Sequence, residues 1–160
     1  MNTAEAIDKS VSENGKRVIE IGLNKITILV EAENTGGTFS MIEYVVAPLF
    51  QAPPTLHFHT KEFCTAYVVE GSIGIQIGEE TTINNAGSVF QFVKDAPFRW
   101  WNAEDKPSKF LAIYTPAGFE NYFVELNETI KDRPEGPLDM KALMPKIIPL
   151  WGKYGMGVFK

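Results

Sequence analysis

From residue 17 to residue 115 this chain keeps a hydrophobic period of two, and no helical period interrupts it. Ile26, Ile28 and Val30 alternate with Lys25, Thr27 and Leu29; Ile73, Ile75 and Ile77 alternate with Ser72, Gly74 and Gln76. Side chains on a strand point to opposite faces in turn, so this pattern predicts strands with one buried face. Further strands are expected over 17–22, 38–46, 55–59, 63–70, 80–84, 88–93, 98–102 and 108–115, all enriched in β-branched and aromatic residues. Turn-forming residues separate them, among them Asn34 to Gly37, Pro53-Pro54, Gly71, Asn84 to Gly87 and Lys94 to Pro97. Parallel strands need helical crossovers, and none has a place here. An antiparallel sandwich or barrel follows.

Beyond Pro116 the period changes. Phe119, Tyr122, Phe123 and Leu126 fall on one side of a short helix, and Met140, Leu143, Ile147 and Trp151 repeat at helical spacing. Pro145 and Pro149 are expected to break that second segment into two short turns. The expected organisation is an N-terminal arm over 1–16, a barrel over 17–117, and a helical tail over 118–160 packed on the barrel.

Composition narrows the partners. With 11 Phe, 5 Tyr and 3 Trp in 160 residues, the chain has ample bulk for a core without staples. Its formal net charge is -5 and it has no basic stripe, which argues against nucleic acid, since phosphate binding needs clustered Lys and Arg. No stretch approaches the ~18 apolar residues of a membrane span, and the polar first residues lack a signal-peptide core. One cysteine, Cys64, forbids an internal disulfide. Together these features predict a cytoplasmic protein without nucleic acid or membrane as a partner.

The segment richest in chemistry is Pro54-Thr-Leu-His57-Phe-His59-Thr-Lys-Glu62-Phe-Cys64, running on to Glu70-Gly71. Two apart on a strand, His57 and His59 project from the same face. Converging imidazoles begin many transition-metal sites. Two polar side chains on a barrel rim would give the same pattern, but these are the only two histidines in the chain, and they stand together.

These residues resemble the cupin superfamily. Its first motif is H-x-H, three or four residues, Glu, six residues and Gly; His57, His59 and Gly71 fit, and the Glu position is Cys64. Glu62 lies two residues out of place. The second motif overlies Gly87 to Asn102: both of these match, Val93 takes the first Pro position, Asp95 takes the Gly position, and the third metal-binding histidine falls on Phe98. The resemblance implies an all-β fold, a double-stranded β-helix or jelly-roll barrel with short C-terminal helices, and a homodimer. The aromatic tail resembles that of quercetin-dioxygenase-like single-domain cupins.

The departures leave three options. Cys64 as thiolate could join His57 and His59 around zinc or copper; Glu62 could swing in and favour iron, manganese or nickel; or there is no metal, and the histidines meet an organic ligand directly. The last, with metal weakly held or absent, is the preferred expectation. Cys64 is also the size of a small core filler. Phe98 and Trp100 share one face of their strand and are expected to line the pocket with Cys64, while Arg99 and Trp101 face away. Gln91, Tyr44 and Tyr67 are candidates for added polar contacts. Such a pocket suits an aromatic or otherwise flat ligand. The alternative is a metal-dependent cupin oxygenase or isomerase acting on a small, aromatic compound; a third reading makes His57 or His59 a general base without metal.

Overall fold

The computed structural model describes residues 15–160, so the expected arm over 1–16 lies, as far as residue 14, outside the described residues. Among them the elements are β1 (Arg17–Ile21), β2 (Asn24–Val30), β3 (Ser40–Val46), β4 (Gln51–His59), β5 (Phe63–Glu70), β6 (Ser72–Ile77), β7 (Glu80–Asn85), β8 (Val89–Phe92), β9 (Phe98–Asn102), β10 (Ser108–Thr115), α1 (Glu120–Thr129), α2 (Met140–Lys153) and β11 (Met156–Val158). One sheet runs β1-β2-β3-β10-β5-β8, the other β11-β4-β9-β6-β7, and every recorded pairing is antiparallel. The two sheets make a jelly-roll barrel, as the alternation and the motifs implied.

The period of two becomes burial directly at the centre of the first sheet. Ser40, Ile42, Tyr44 and Val46 of β3 point inward, and so do Ser108, Phe110, Ala112 and Tyr114 of β10. Removing a large apolar side chain of this kind from water stabilises the fold by about 1.5–3 kcal/mol. Elsewhere the simple pattern fails. Ser72 to Ile75 are buried on both faces of β6, because the Trp101 ring of β9 covers Gly74; a Cβ there would stand 2.0 Å from the indole Cε2. Ile77, expected on the buried face, is exposed at the strand's end. Val30 is half-buried beyond a register shift after Ile28.

Two prolines expected to mark a turn lie within β4. Its register with β9 passes from Ala52↔Trp100 to His57↔Phe98, five residues on one strand against two on the other. Pro53 and Pro54 fall in that irregular stretch, where the ladder requires no N–H from them.

The tail also differs from expectation in two ways. Residues 140–153 form one helix, not two turns, with Pro145 and Pro149 inside it. The prolines stand four apart on the exposed side, where water can hydrate the carbonyls they leave free, while Ile147, Leu150 and Trp151 anchor the other side. Asp139 caps the helix by accepting from the Ala142 N–H at 3.1 Å. The tail is not wholly helical either. β11 pairs Met156 with His59 and Val158 with His57, so the chain returns beside both histidines. Gly157 permits this approach, since a Cβ would lie 2.4 Å from the Phe58 ring.

Candidate functional site

Two turns hold the strands that carry the site. Asn102, 1% exposed, donates its amide to the carbonyls of Val46, Ala47 and Lys106 at 3.1, 3.0 and 2.8 Å, and its Oδ1 accepts from Ser108 Oγ at 2.8 Å and Glu104 N at 2.9 Å. Asp95 adopts a left-handed φ of 64° and donates its N–H to the His59 carbonyl at 2.8 Å. Asp tolerates that backbone better than most residues, which explains its place at a motif position where glycine is usual.

Between the sheets and the tail lies a cavity of about 440 Å³. His57, His59, Glu62, Cys64, Phe98, Trp100 and Tyr44 all line it. The structure therefore brings together most of the residues singled out from the sequence. Gln91 is a correction: it faces outward on β8, exposed, and donates to Thr65 Oγ1 at 3.0 Å. The inward residues of that strand are Phe90 and Phe92. Tyr67 likewise faces out, on β5. Trp101 turns away from the cavity to Gly74 and stacks under Arg99 at 5.4 Å, as its strand position required.

The imidazoles are buried, 4% exposed at His57 and 8% at His59, with ring centroids 5.4 Å apart. Phe98 faces both, at 4.2 Å from His57 and 5.3 Å from His59, and stacks on Phe92 at 3.7 Å. Their polar environments differ. Nδ1 of His59 is hydrogen-bonded to Glu62 Oε1. Nδ1 of His57 is buried with no hydrogen-bond partner. Burial, reinforced by the neighbouring His59, pushes the His57 pKa down from 6.5 to about 3, so that ring is neutral near pH 7.

Burial also keeps the thiol and the phenols of the cavity neutral. Burial pushes the Cys64 thiol up to about 12, with Glu62 adding to it and Tyr114 opposing it. Tyr44 and Tyr114 hydroxyls meet at 2.7 Å, and burial raises both phenols well above their ordinary range. Tyr114 was not anticipated from sequence. Its place two residues beyond Ala112 and four beyond Phe110, on the inward face of a strand, was the available signal.

The tail completes the wall. Phe119 lies 4.8 Å from His59 and 4.8 Å from Tyr114, and Trp151 lies 6.4 Å from His57. The Trp151 indole donates to Tyr122 Oη at 3.1 Å. No periodicity links residues so distant in sequence to the histidines, so only the tertiary arrangement reveals them.

These side chains do not fit a tightly held metal. Among the described residues no group of three or more His, Cys, Asp and Glu side chains is placed to hold one. Glu62 engages Nδ1 of His59, Cys64 is held as a thiol, and the side facing the imidazoles is the Phe98 ring. What the arrangement offers is a ring-walled cavity with a small set of uncharged donors and acceptors at His57, Tyr44 and Tyr114.

A jelly-roll barrel with an inward-facing histidine pair defines a class built around an internal pocket. Comparison agrees: residues 44–114 match Cupin_2, the cupin domain family. Solved structures agree in fold. KdgF from Halomonas sp. is 12% identical with a TM-score of 0.58, covering 71% of this chain and 98% of that one. An RmlC-like cupin from Shewanella frigidimarina is 14% identical, with a TM-score of 0.56 and coverage of 71% and 96%. The polyketide cyclase RemF from Streptomyces resistomycificus is 21% identical, with a TM-score of 0.54 and coverage of 68% and 80%. At these identities the likeness is one of fold. No curated protein matches the chain. Among the described residues no helix is long and apolar enough to cross a membrane.

Proposed function

We propose that this protein binds a small organic molecule inside its cupin barrel, against His57 and His59, with metal weakly held or absent. The observation that carries the reading is a cavity of about 440 Å³, rich in aromatic rings and lined by both imidazoles. Pockets of this size and lining take flat, largely apolar ligands held in place by a few polar groups.

The alternative is a metal-dependent oxygenase or isomerase. It is favoured by the two imidazoles on one wall and by the carboxylate behind His59, an arrangement that often orients a ligating histidine. Phe98 stands against it, since oxygen activation needs a firmly held redox metal. Metal analysis of protein purified without chelator or tag metals separates the two. The binding reading expects well under one equivalent of transition metal and a rise in Tm with aromatic ligands. Stoichiometric metal that disappears in His57→Ala/His59→Ala would reverse the order.

A cytoplasmic location and a homodimer belong to the same proposal. The buried free thiol of Cys64 suits a reducing compartment. Phe63, Tyr67, Val89 and Ile113 are exposed on the outer face of the first sheet, with Val89 paired beside Tyr67, and a second copy would cover them. Sedimentation as a monomer at micromolar concentration would remove the dimer.

A further inference from the structure

Resting on that binding reading, we infer that the cavity selects its ligand by charge: it takes an uncharged, hydroxylated aromatic molecule and rejects the carboxylate of the same shape. The walls carry the argument. Among the described residues that line the cavity there is no Lys, Arg or Asp, and the one side chain of a charged type is Glu62. A carboxylate or phosphate entering here would find no Lys or Arg to pair with, and Nδ1 of His59 is already engaged by the Glu62 carboxyl. An unpaired buried anion is strongly disfavoured, because nothing replaces its hydration.

A neutral hydroxyl meets the opposite circumstance. The Tyr44 and Tyr114 hydroxyls bond to each other at 2.7 Å, and Tyr114 also lies beside the Cys64 thiol; with Tyr114 donating to Tyr44, the Tyr44 O–H is the one left to donate. Neutral His57 brings one acceptor and one donor, and its Nδ1 is unmatched. Groups that both give and accept a proton, such as a phenol or an enol next to a ketone, match this set; a carboxylate, which only accepts, does not. The body of the ligand is specified by the rings. Their contacts run from Phe50 to Trp100 at 5.9 Å, Trp100 to Tyr44 at 6.1 Å, across the hydroxyl pair to Tyr114, and on through Phe119 to His59 at 4.8 Å each. These rings share the lining with aliphatic side chains such as Ile26, Leu126 and Ile147, and their faces favour a planar guest, since offset and edge-to-face contacts add to the apolar burial.

The test compares three probes of nearly equal shape, a dihydroxynaphthalene, naphthalene and naphthoate, by quenching of tryptophan fluorescence and by thermal shift on the full chain. Trp100 and Trp151 both line the cavity and report occupancy. Expected is tightest binding by the dihydroxynaphthalene, with naphthoate weaker by about tenfold or more. Glu62→Gln is expected to narrow that gap from the naphthoate side, and Tyr114→Phe to narrow the advantage of the hydroxylated probe over naphthalene by several-fold. If Tyr114→Phe fails to fold, Tyr44→Phe tests the same hydroxyl pair. Naphthoate binding as tightly as the dihydroxynaphthalene overturns charge selection while leaving the pocket in place. If none of the three binds, the binding reading itself fails and takes this inference with it.

Discussion

The barrel and the tail of this molecule are held by different kinds of force. From β1 to β10 the strands are tied by ladder hydrogen bonds and by buried polar clamps such as Asn102. The tail is fixed at a few points: β11 on β4, Glu120 accepting from Ala32 N at 2.9 Å and Gly118 N at 2.7 Å, and the Trp151–Tyr122 bond. Yet it is the tail that closes the cavity over the histidines. The barrel supplies a largely aromatic wall with the polar groups of His57, Tyr44 and Tyr114 set in it, and the tail supplies further cover through Phe119 and Trp151. Stability and ligand binding are therefore separable by substitution.

The largest expected effect tests this separation. Trp151→Ala removes a buried indole beside His57 and should cost about 3–5 kcal/mol in denaturant unfolding, with aromatic ligand binding lost as well. In the barrel, Asn102→Ala leaves three carbonyls without their donor and should cost about 3 kcal/mol. Its folded fraction should bind ligand as before, because Asn102 lies outside the cavity lining. Equal loss of binding in both variants would break the distinction between wall and cover.

A pH titration of stability is expected to give a smaller effect. The folded His57 takes up its proton only near pH 3, whereas the unfolded chain does so near 6.5. Protons therefore favour the unfolded state below 6.5, and stability falls as pH drops, by on the order of 2 kcal/mol from about pH 7 to pH 5. The slope should be absent in His57→Gln. The smallest effect belongs to the helix cap. Asp139→Ala should lower stability by about 1 kcal/mol and loosen α2 without touching the barrel, visible as faster amide exchange confined to the tail.

The same contrast decides what could be read in the sequence. Alternation carries the barrel, because a strand's two faces are written at adjacent positions. It placed His57 and His59 together and Phe98 and Trp100 on one face before any tertiary information, and the motif resemblance turned that face inward. It failed where two strands met at unusual distance: Gly74 under Trp101 buries both faces of β6, and the irregular β4–β9 register absorbs Pro53 and Pro54. Gln91 was misplaced because its neighbours Phe90 and Phe92 are the inward pair. The tail was legible only as helical spacing. Its prolines are tolerated because their side faces water, and β11 is too short and glycine-rich to signal a strand. The Glu62–His59 bond needed coordinates, since three positions apart across a turn carry no fixed direction.

The account depends on a ligand reaching the imidazole wall, and the chain's two histidines make this directly observable. A long-range nitrogen–proton correlation spectrum contains only the ring nitrogens of His57 and His59. On saturation with the dihydroxynaphthalene, the ring nitrogen resonances of His57 should move, while Nδ1 of His59, held by Glu62, stays near its place. A saturating ligand that leaves the His57 signals unmoved would contradict the account.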